Sequence, residues 1–151
     1  MRGSRSIKIK TLATKINNVQ TAFSRIESAT TTVTVASLTT GTKTNKSSVK
    51  RIRNLPGYVN GDQAGHVIGN QLGGPGGQDF VFPIRTKPNA AMREIENDIA
   101  AIAGSGKTVN VTVKLNFKNA GTASPWKIEI FYNYTNSKGT PVSAYAPIFN
   151  R

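Results

Sequence analysis

Leu12, Ile16, Val19, Phe23 and Ile26 recur at spacings of four, three, four and three, which sets apolar side chains along one face of a helix. The pattern predicts an amphipathic N-terminal helix packed on the core. Thr30 to Leu38 is rich in β-branched residues and predicts a strand. Gly41 to Ser48 is polar and predicts an exposed loop; Asn54 to Gly61, with Pro56, two glycines and Asn60, predicts another turn region. From Asn89, the positions Ala91, Met92, Ile95, Ile99 and Ile102 predict a helix stopped by Gly104 and Gly106. Two alternating stretches follow. Val109, Val111, Val113, Leu115 and Phe117 form one, and Trp126, Ile128, Ile130, Tyr132 and Tyr134 the other. They predict half-buried strands, paired antiparallel across the loop around Gly121. No internal repeat is visible, and the order of elements predicts an α+β fold.

Composition narrows the class. The 151 residues suit one domain, and 37% hydrophobic content supports one modest core. No apolar run approaches the ~18 residues of a spanning helix. Met1 to Lys10 alternates charge with single apolar residues, unlike a signal-peptide core, and Met1-Arg-Gly-Ser reads as an appended start. With no cysteine and one histidine, disulfide frameworks, thiolate metal sites and multi-histidine metal sites are excluded.

Charge points to a partner. The net charge is +13, and residues 1–60 hold 11 Lys or Arg against one acid, Glu27. The densest cluster is Lys46, Lys50, Arg51 and Arg53. Such a balance in a small domain predicts a polyanionic partner, nucleic acid first. Aromatic residues do not interleave with these cations along the chain, so the expected contacts are to phosphate rather than stacked bases.

One motif misleads. Gly104-Ser-Gly-Lys-Thr108 resembles the end of a phosphate-binding P-loop, but Ala101 stands where that loop needs glycine, and the segment follows a predicted helix and precedes a strand. A helix C-cap accounts for it better.

The segment from Gly61 to Gly76 gathers His66, Asp62 four residues before it, and six glycines. Val67-Ile68 suggests a short strand anchoring His66 while its ring faces a cleft. Imidazole is the side chain whose ordinary pKa, about 6.5, suits taking a proton from water near neutrality. Asn89 opens the next helix. Its amide oxygen is a hard neutral ligand of the kind Mg²⁺ accepts, and asparagine there is equally an ordinary N-cap.

The run Gly61-Asp62-x-x-Gly65-His66-Val67-Ile68, then Leu72-Gly73-Gly74, Val81-Phe82-Pro83, Asn89 and Met92-Arg93-x-x-Glu96, resembles the non-specific DNA/RNA endonucleases of the His-Me finger (ββα-metal) superfamily, especially bacterial secreted nuclease toxin domains. The resemblance covers residues 54–117. It implies a ββα-metal core with additional antiparallel strands. The chain then divides into a basic N-terminal region (1–53), that core (54–117) and C-terminal strands (118–151) of a single nuclease domain.

By the same resemblance, His66 matches the general base and Asn89 the ligand of one divalent ion, Mg²⁺ or another. Asp62 and Glu96 match supporting acids. Many members carry arginine where Ala64 stands, asparagine where Phe80 stands and tryptophan where Met92 stands. The phosphate-neutralising arginine must then come from elsewhere, with Arg85 and Arg93 as candidates. The implied function is metal-dependent hydrolysis of DNA, and of RNA as a second substrate, by a toxin module secreted or delivered into a target cell. An acidic immunity protein is the implied partner, and no membrane is. A basic nucleic-acid-binding module with a degenerate site is the alternative, but it needs neither His66 nor Asn89.

Overall fold

The computed structural model describes residues 5–16 and 19–151, with side chains 13–21 outside the description. Among the described residues, seven strands and two α-helices run in the order β1 (Arg5–Ile16), β2 (Val19–Val33), α1 (Lys46–Arg53), β3 (Gln63–His66), β4 (Val81–Ile84), α2 (Thr86–Gly104), β5 (Val109–Asn116), β6 (Lys127–Thr135) and β7 (Pro141–Phe149). Five of the strands form one antiparallel sheet in the order β1-β2-β5-β6-β7, and β3 pairs with β4 in a separate two-stranded sheet. The fold is mixed α+β, mostly antiparallel, as expected.

The N-terminal helix is not there. Its residues form the β1–β2 hairpin, in register from Arg5 opposite Thr31 to Ile16 opposite Val19. The side chains of Ile16 and Val19 lie outside the described residues. Phe23 and Ile26 are both buried, yet residues three apart on a strand face opposite sides. Ile26 belongs to the main core cluster and Phe23 does not. A β-bulge strengthens the deception. The register passes from Lys8 opposite Ser28 to Ile9 opposite Ile26, so Glu27 is extra and Ile26 and Ala29 both turn inward. A bulged strand thereby mimics helical spacing. Threonine-rich segments such as Thr30-Thr-Thr-Val33 favour the strand, because β-branched side chains lose rotamer freedom in a helix.

The strand predicted to run to Leu38 stops at Val33 and gives way to a 3-10 turn at Val35–Thr39. The polar loop also ends early, because α1 begins at Lys46. Asn45 caps it, accepting from the Ser48 N–H at 3.0 Å while the Asn45 N–H donates to Ser48 Oγ at 2.8 Å. Lys50, Arg51 and Arg53 fill the last turn, where cations complement the helix dipole.

The predicted β5–β6 pair is present, and Val109, Val111, Val113, Leu115, Ile128 and Ile130 face inward. Trp126 departs from that pattern: it precedes β6 and is 40% exposed. Met92, Ile99 and Ala103 of α2 pack against the inward face together with Val67, Ile68, Phe82 and Ile84. After α2, the Gly106 N–H bonds the Ala103 carbonyl at 3.0 Å, and Gly106 takes φ +100°, so the P-loop look-alike is a helix terminus. This packing fixes β3, β4 and α2 against one rigid layer, and the side chains of interest lie between β3 and α2.

Candidate active site

A cleft of about 630 Å³ is lined by Asp62, Gln63 and His66 on one side and by Asn89, Arg93 and Glu96 of α2 on the other. The topology therefore brings together His66, Asn89, Asp62, Glu96 and Arg93, which the sequence had singled out. Arg85, Lys46, Lys50, Arg51 and Arg53 do not line it.

His66 ends β3 and is half-buried. Its Nε2 lies 2.9 Å from the Thr42 carbonyl oxygen. A carbonyl can only accept, so this contact assigns the proton to Nε2 and leaves Nδ1 as the basic nitrogen of the neutral ring. The Thr42 segment is itself tied down. Thr42 N–H donates to the Gly74 carbonyl at 3.1 Å, and Gly76 N–H donates to Thr42 Oγ1 at 2.9 Å. Glycine permits this approach: a Cβ on Gly76 would sit 2.2 Å from the Lys43 carbonyl, and one on Gly41 would sit 1.9 Å from that of Asn70. The glycine-rich run thus lets two loops meet and holds the imidazole in one orientation.

Asn89 is not the N-cap. Arg85 holds that position, and Asn89 lies one turn into α2, its N–H bonded to the Arg85 carbonyl. Its side chain is therefore released from capping. Asn89 Nδ2 donates to Gln63 Oε1 at 2.8 Å, which leaves Oδ1 as the atom that can bind a cation. No group of three or more His, Cys, Asp and Glu among the described residues could hold a metal ion. The Asn89 amide oxygen is a hard neutral donor, of the kind that a largely hydrated cation such as Mg²⁺ accepts.

Glu96 sits two turns further along α2. Its carboxylate rests on Gly69, where a Cβ would come within 1.9 Å of Oε2. Burial pushes its pKa up from 4.5 to about 7, against the opposing effects of the Gly69 N–H and the nearby Arg93 guanidinium. Arg93 is exposed at the cleft edge.

Arg85 is engaged elsewhere. Its Nη1 bonds Asp62 Oδ1 at 2.5 Å, and the Asp62 side chain is fully buried. Asp62 Oδ2 accepts from the Val59 N–H at 3.0 Å. The pair ties the turn before β3 to the start of α2. Arg85 N–H also donates to Asn150 Oδ1 at 2.9 Å, which joins the C-terminal strand to the same point.

In the basic cluster, Lys46, Lys50 and Arg53 are exposed, but Arg51 is turned inward. Arg51 Nη2 donates to the Ser24 carbonyl at 3.2 Å and Nη1 lies 4.0 Å from Asp79. Sequence reasoning missed Thr42, Gln63 and Gly69. Gln63 stands inside the motif at an unassigned position, while Thr42 acts through a main-chain carbonyl that no side chain announces.

Residues 13–136 match the model of the DNA/RNA non-specific endonuclease family. The chain belongs to that family. Over 131 residues the chain is 35% identical to "Probable deoxyribonuclease RhsA" of Dickeya dadantii (strain 3937), a match that spans 85% of this chain and 8% of that protein. Its fold is similar to two crystal structures of NucA from Streptococcus agalactiae. The one with magnesium ion bound gives a TM-score of 0.60 at 14% identity, covering 97% of this chain and 73% of NucA. The one with no metal bound gives 0.56 at 15% identity, covering 96% and 71%. The sequence resemblance to non-specific endonucleases of the His-Me finger superfamily therefore holds.

Proposed function

We propose that the chain is a metal-dependent endonuclease that hydrolyses phosphodiester bonds of DNA, and of RNA as a second substrate, with β3, β4 and α2 as its ββα-metal core. The observation that carries this reading is the pairing of His66 and Asn89 across one cleft, each held by a contact that frees its functional atom. His66 Nδ1 takes the proton of the attacking water, and the Thr42 carbonyl keeps the proton on Nε2 and stabilises the imidazolium that forms. Asn89 Oδ1 would hold one divalent cation, with Gln63 fixing the amide. When bound, that ion supplies positive charge to the scissile phosphate and the departing 3′ oxygen. Arg93 adds a second positive charge at the cleft edge and is the better phosphate clamp, because Arg85 is neutralised by Asp62. Glu96 supports the wall opposite His66.

The deoxyribonuclease relative extends far beyond the matched segment. This supports reading the chain as one nuclease domain of a larger delivered protein, a toxin module with an acidic immunity protein as partner. Among the described residues no helix is long and apolar enough to cross a membrane.

Plasmid degradation tests the function. The wild-type chain is expected to cut supercoiled DNA in Mg²⁺ and to stop in EDTA. Full activity in EDTA overturns the metal-dependent mechanism. Binding without any cleavage, with or without divalent ions, favours the basic binding module instead.

A further inference from the structure

We propose that the outward face of the five-stranded sheet, at its Trp126–Phe149 corner, is a second binding surface for single-stranded nucleic acid; the proposal rests on the nuclease reading above. Cross-strand register builds this surface. Phe131 stands opposite Tyr145 and Lys127 opposite Phe149, and along β6 and β7 they alternate with Ile128 and Ile130, which are buried, and with Ala144, Ala146 and Ile148, which are half-buried or buried. The rings form two pairs, Phe131 with Tyr145 at 4.9 Å and Trp126 with Phe149 at 5.8 Å between centroids. Trp126, Tyr145 and Phe149 are 40–49% exposed, among the most exposed large apolar side chains described.

Each pair has cations over it. Lys114 Nζ lies 5.4 Å from the Phe131 ring, Lys127 Nζ 5.7 Å from Phe149, and the Arg151 guanidinium 5.2 Å from Phe149. Aromatic faces interleaved with Lys and Arg are the arrangement that stacks bases and tracks phosphates without reading sequence. The interleaving absent along the chain is present in space. The single acid within the patch, Glu129, accepts from Tyr145 Oη and Asn116 Nδ2 and lies 3.9 Å from Lys127 Nζ, so its charge is matched locally. Tyr145 and Phe149 are four residues apart on β7, about 13 Å at strand rise, which leaves room for two stacking positions on one strand of substrate.

The same corner is tied to the start of α2. Asn150, next to Phe149, donates through its N–H to the Trp126 carbonyl at 3.0 Å and accepts from the Arg85 N–H at 2.9 Å. Arg85 caps the helix that carries Asn89 one turn later. The corner that carries Trp126 and Phe149 is thereby fastened to the N-terminus of α2.

Trp126 is the sole tryptophan, so its fluorescence reports on this surface alone. The full chain carrying His66→Ala, in EDTA, is titrated with a fluorescein-labelled oligothymidylate. Tryptophan quenching that tracks the anisotropy rise supports the proposal. Phe149→Ala, and independently Lys127→Gln, should weaken that binding at least ~5-fold, the low end for losing one stacked base. Lys127→Gln leaves every ring in place, and the wild-type surface needs no substitution to show quenching. Binding seen by anisotropy with unchanged Trp126 emission overturns the proposal, as does no binding at all. Polyglutamate that quenches Trp126 in place of the oligonucleotide overturns it in favour of an acidic protein partner. Plasmid cleavage by the wild-type chain separates failure of this surface from failure of the nuclease reading.

Discussion

At the scale of single residues, the site is defined by which atom each side chain leaves free. The Thr42 carbonyl occupies His66 Nε2, so loss of the ring removes the one nitrogen base in the cleft. His66→Ala is expected to lower the plasmid-cleavage rate at least ~10²-fold, the low end for a general base, while DNA affinity measured without divalent ions stays near wild type. Cleavage at the wild-type rate would remove His66 from the mechanism. Glu96 makes a prediction about stability rather than rate. Its folded-state pKa, about 7, lies above the ordinary 4.5, so the folded chain holds a proton that the unfolded chain has released between those values. Its contribution to stability is therefore fully present below pH 4.5 and is lost as pH rises to about 7. In EDTA, Glu96→Gln should melt above wild type at pH 8, and the difference should close by pH 5. A constant difference across that range would show that burial of the charge is not what Glu96 contributes.

At the scale of elements, β3, β4 and α2 hold the site because Asp62 and Arg85 fasten the turn before β3 to the start of α2. The two arginines at the site should therefore separate cleanly. Arg85→Ala leaves a buried carboxylate without its cation and should cost about 1–3 kcal/mol of stability, read as a lower urea midpoint. Arg93→Ala, at an exposed position, should leave the midpoint within about 0.5 kcal/mol of wild type and lower cleavage instead. The reverse pattern would make Arg85 the phosphate clamp. What was legible in the sequence follows the same physics. The β5–β6 alternation and the α2 periodicity were readable because one buried face imposes a fixed period on each. The β1–β2 hairpin was misread because Phe23 and Ile26, three apart as on a helix, are both buried although only Ile26 belongs to the main core. With only Val49 and Ile52 as apolar residues, α1 is too short to show a period, and its one signal was Asn45 three residues before Ser48. His66 and Asn89 could be found because side-chain chemistry marks them, and Glu96 through the motif resemblance, whereas the Thr42 carbonyl is a product of tertiary packing.

At the scale of the whole molecule, the +13 charge is not all available to substrate. Arg51 is committed to the Ser24 carbonyl and approaches Asp79, and Arg25 to Glu27, to two loop carbonyls and to the Phe117 ring. Lys46, Lys50 and Arg53 remain exposed on α1, and Thr44 and Val49 on either side of its N-terminus line the cleft, so phosphates flanking a bound scissile bond would lie within the field of this helix. Each phosphate contact releases counterions and contributes roughly 0.9 to the slope of log K against log salt on duplex DNA. Replacing Lys46, Lys50 and Arg53 together with glutamine should therefore flatten that slope by roughly 2–3 units and weaken binding equally for unrelated sequences. Anisotropy titrations of the His66→Ala chain over a range of KCl concentrations measure both quantities without cleavage. Arg51→Gln serves as the contrast. It should lower the melting temperature, because the Ser24 carbonyl loses its donor, and change the slope little. A triple variant with unchanged slope would mean that α1 is merely solvated and that the gripping cations lie elsewhere, with the exposed Lys8 and Lys10 of the β1–β2 hairpin as the next residues to neutralise.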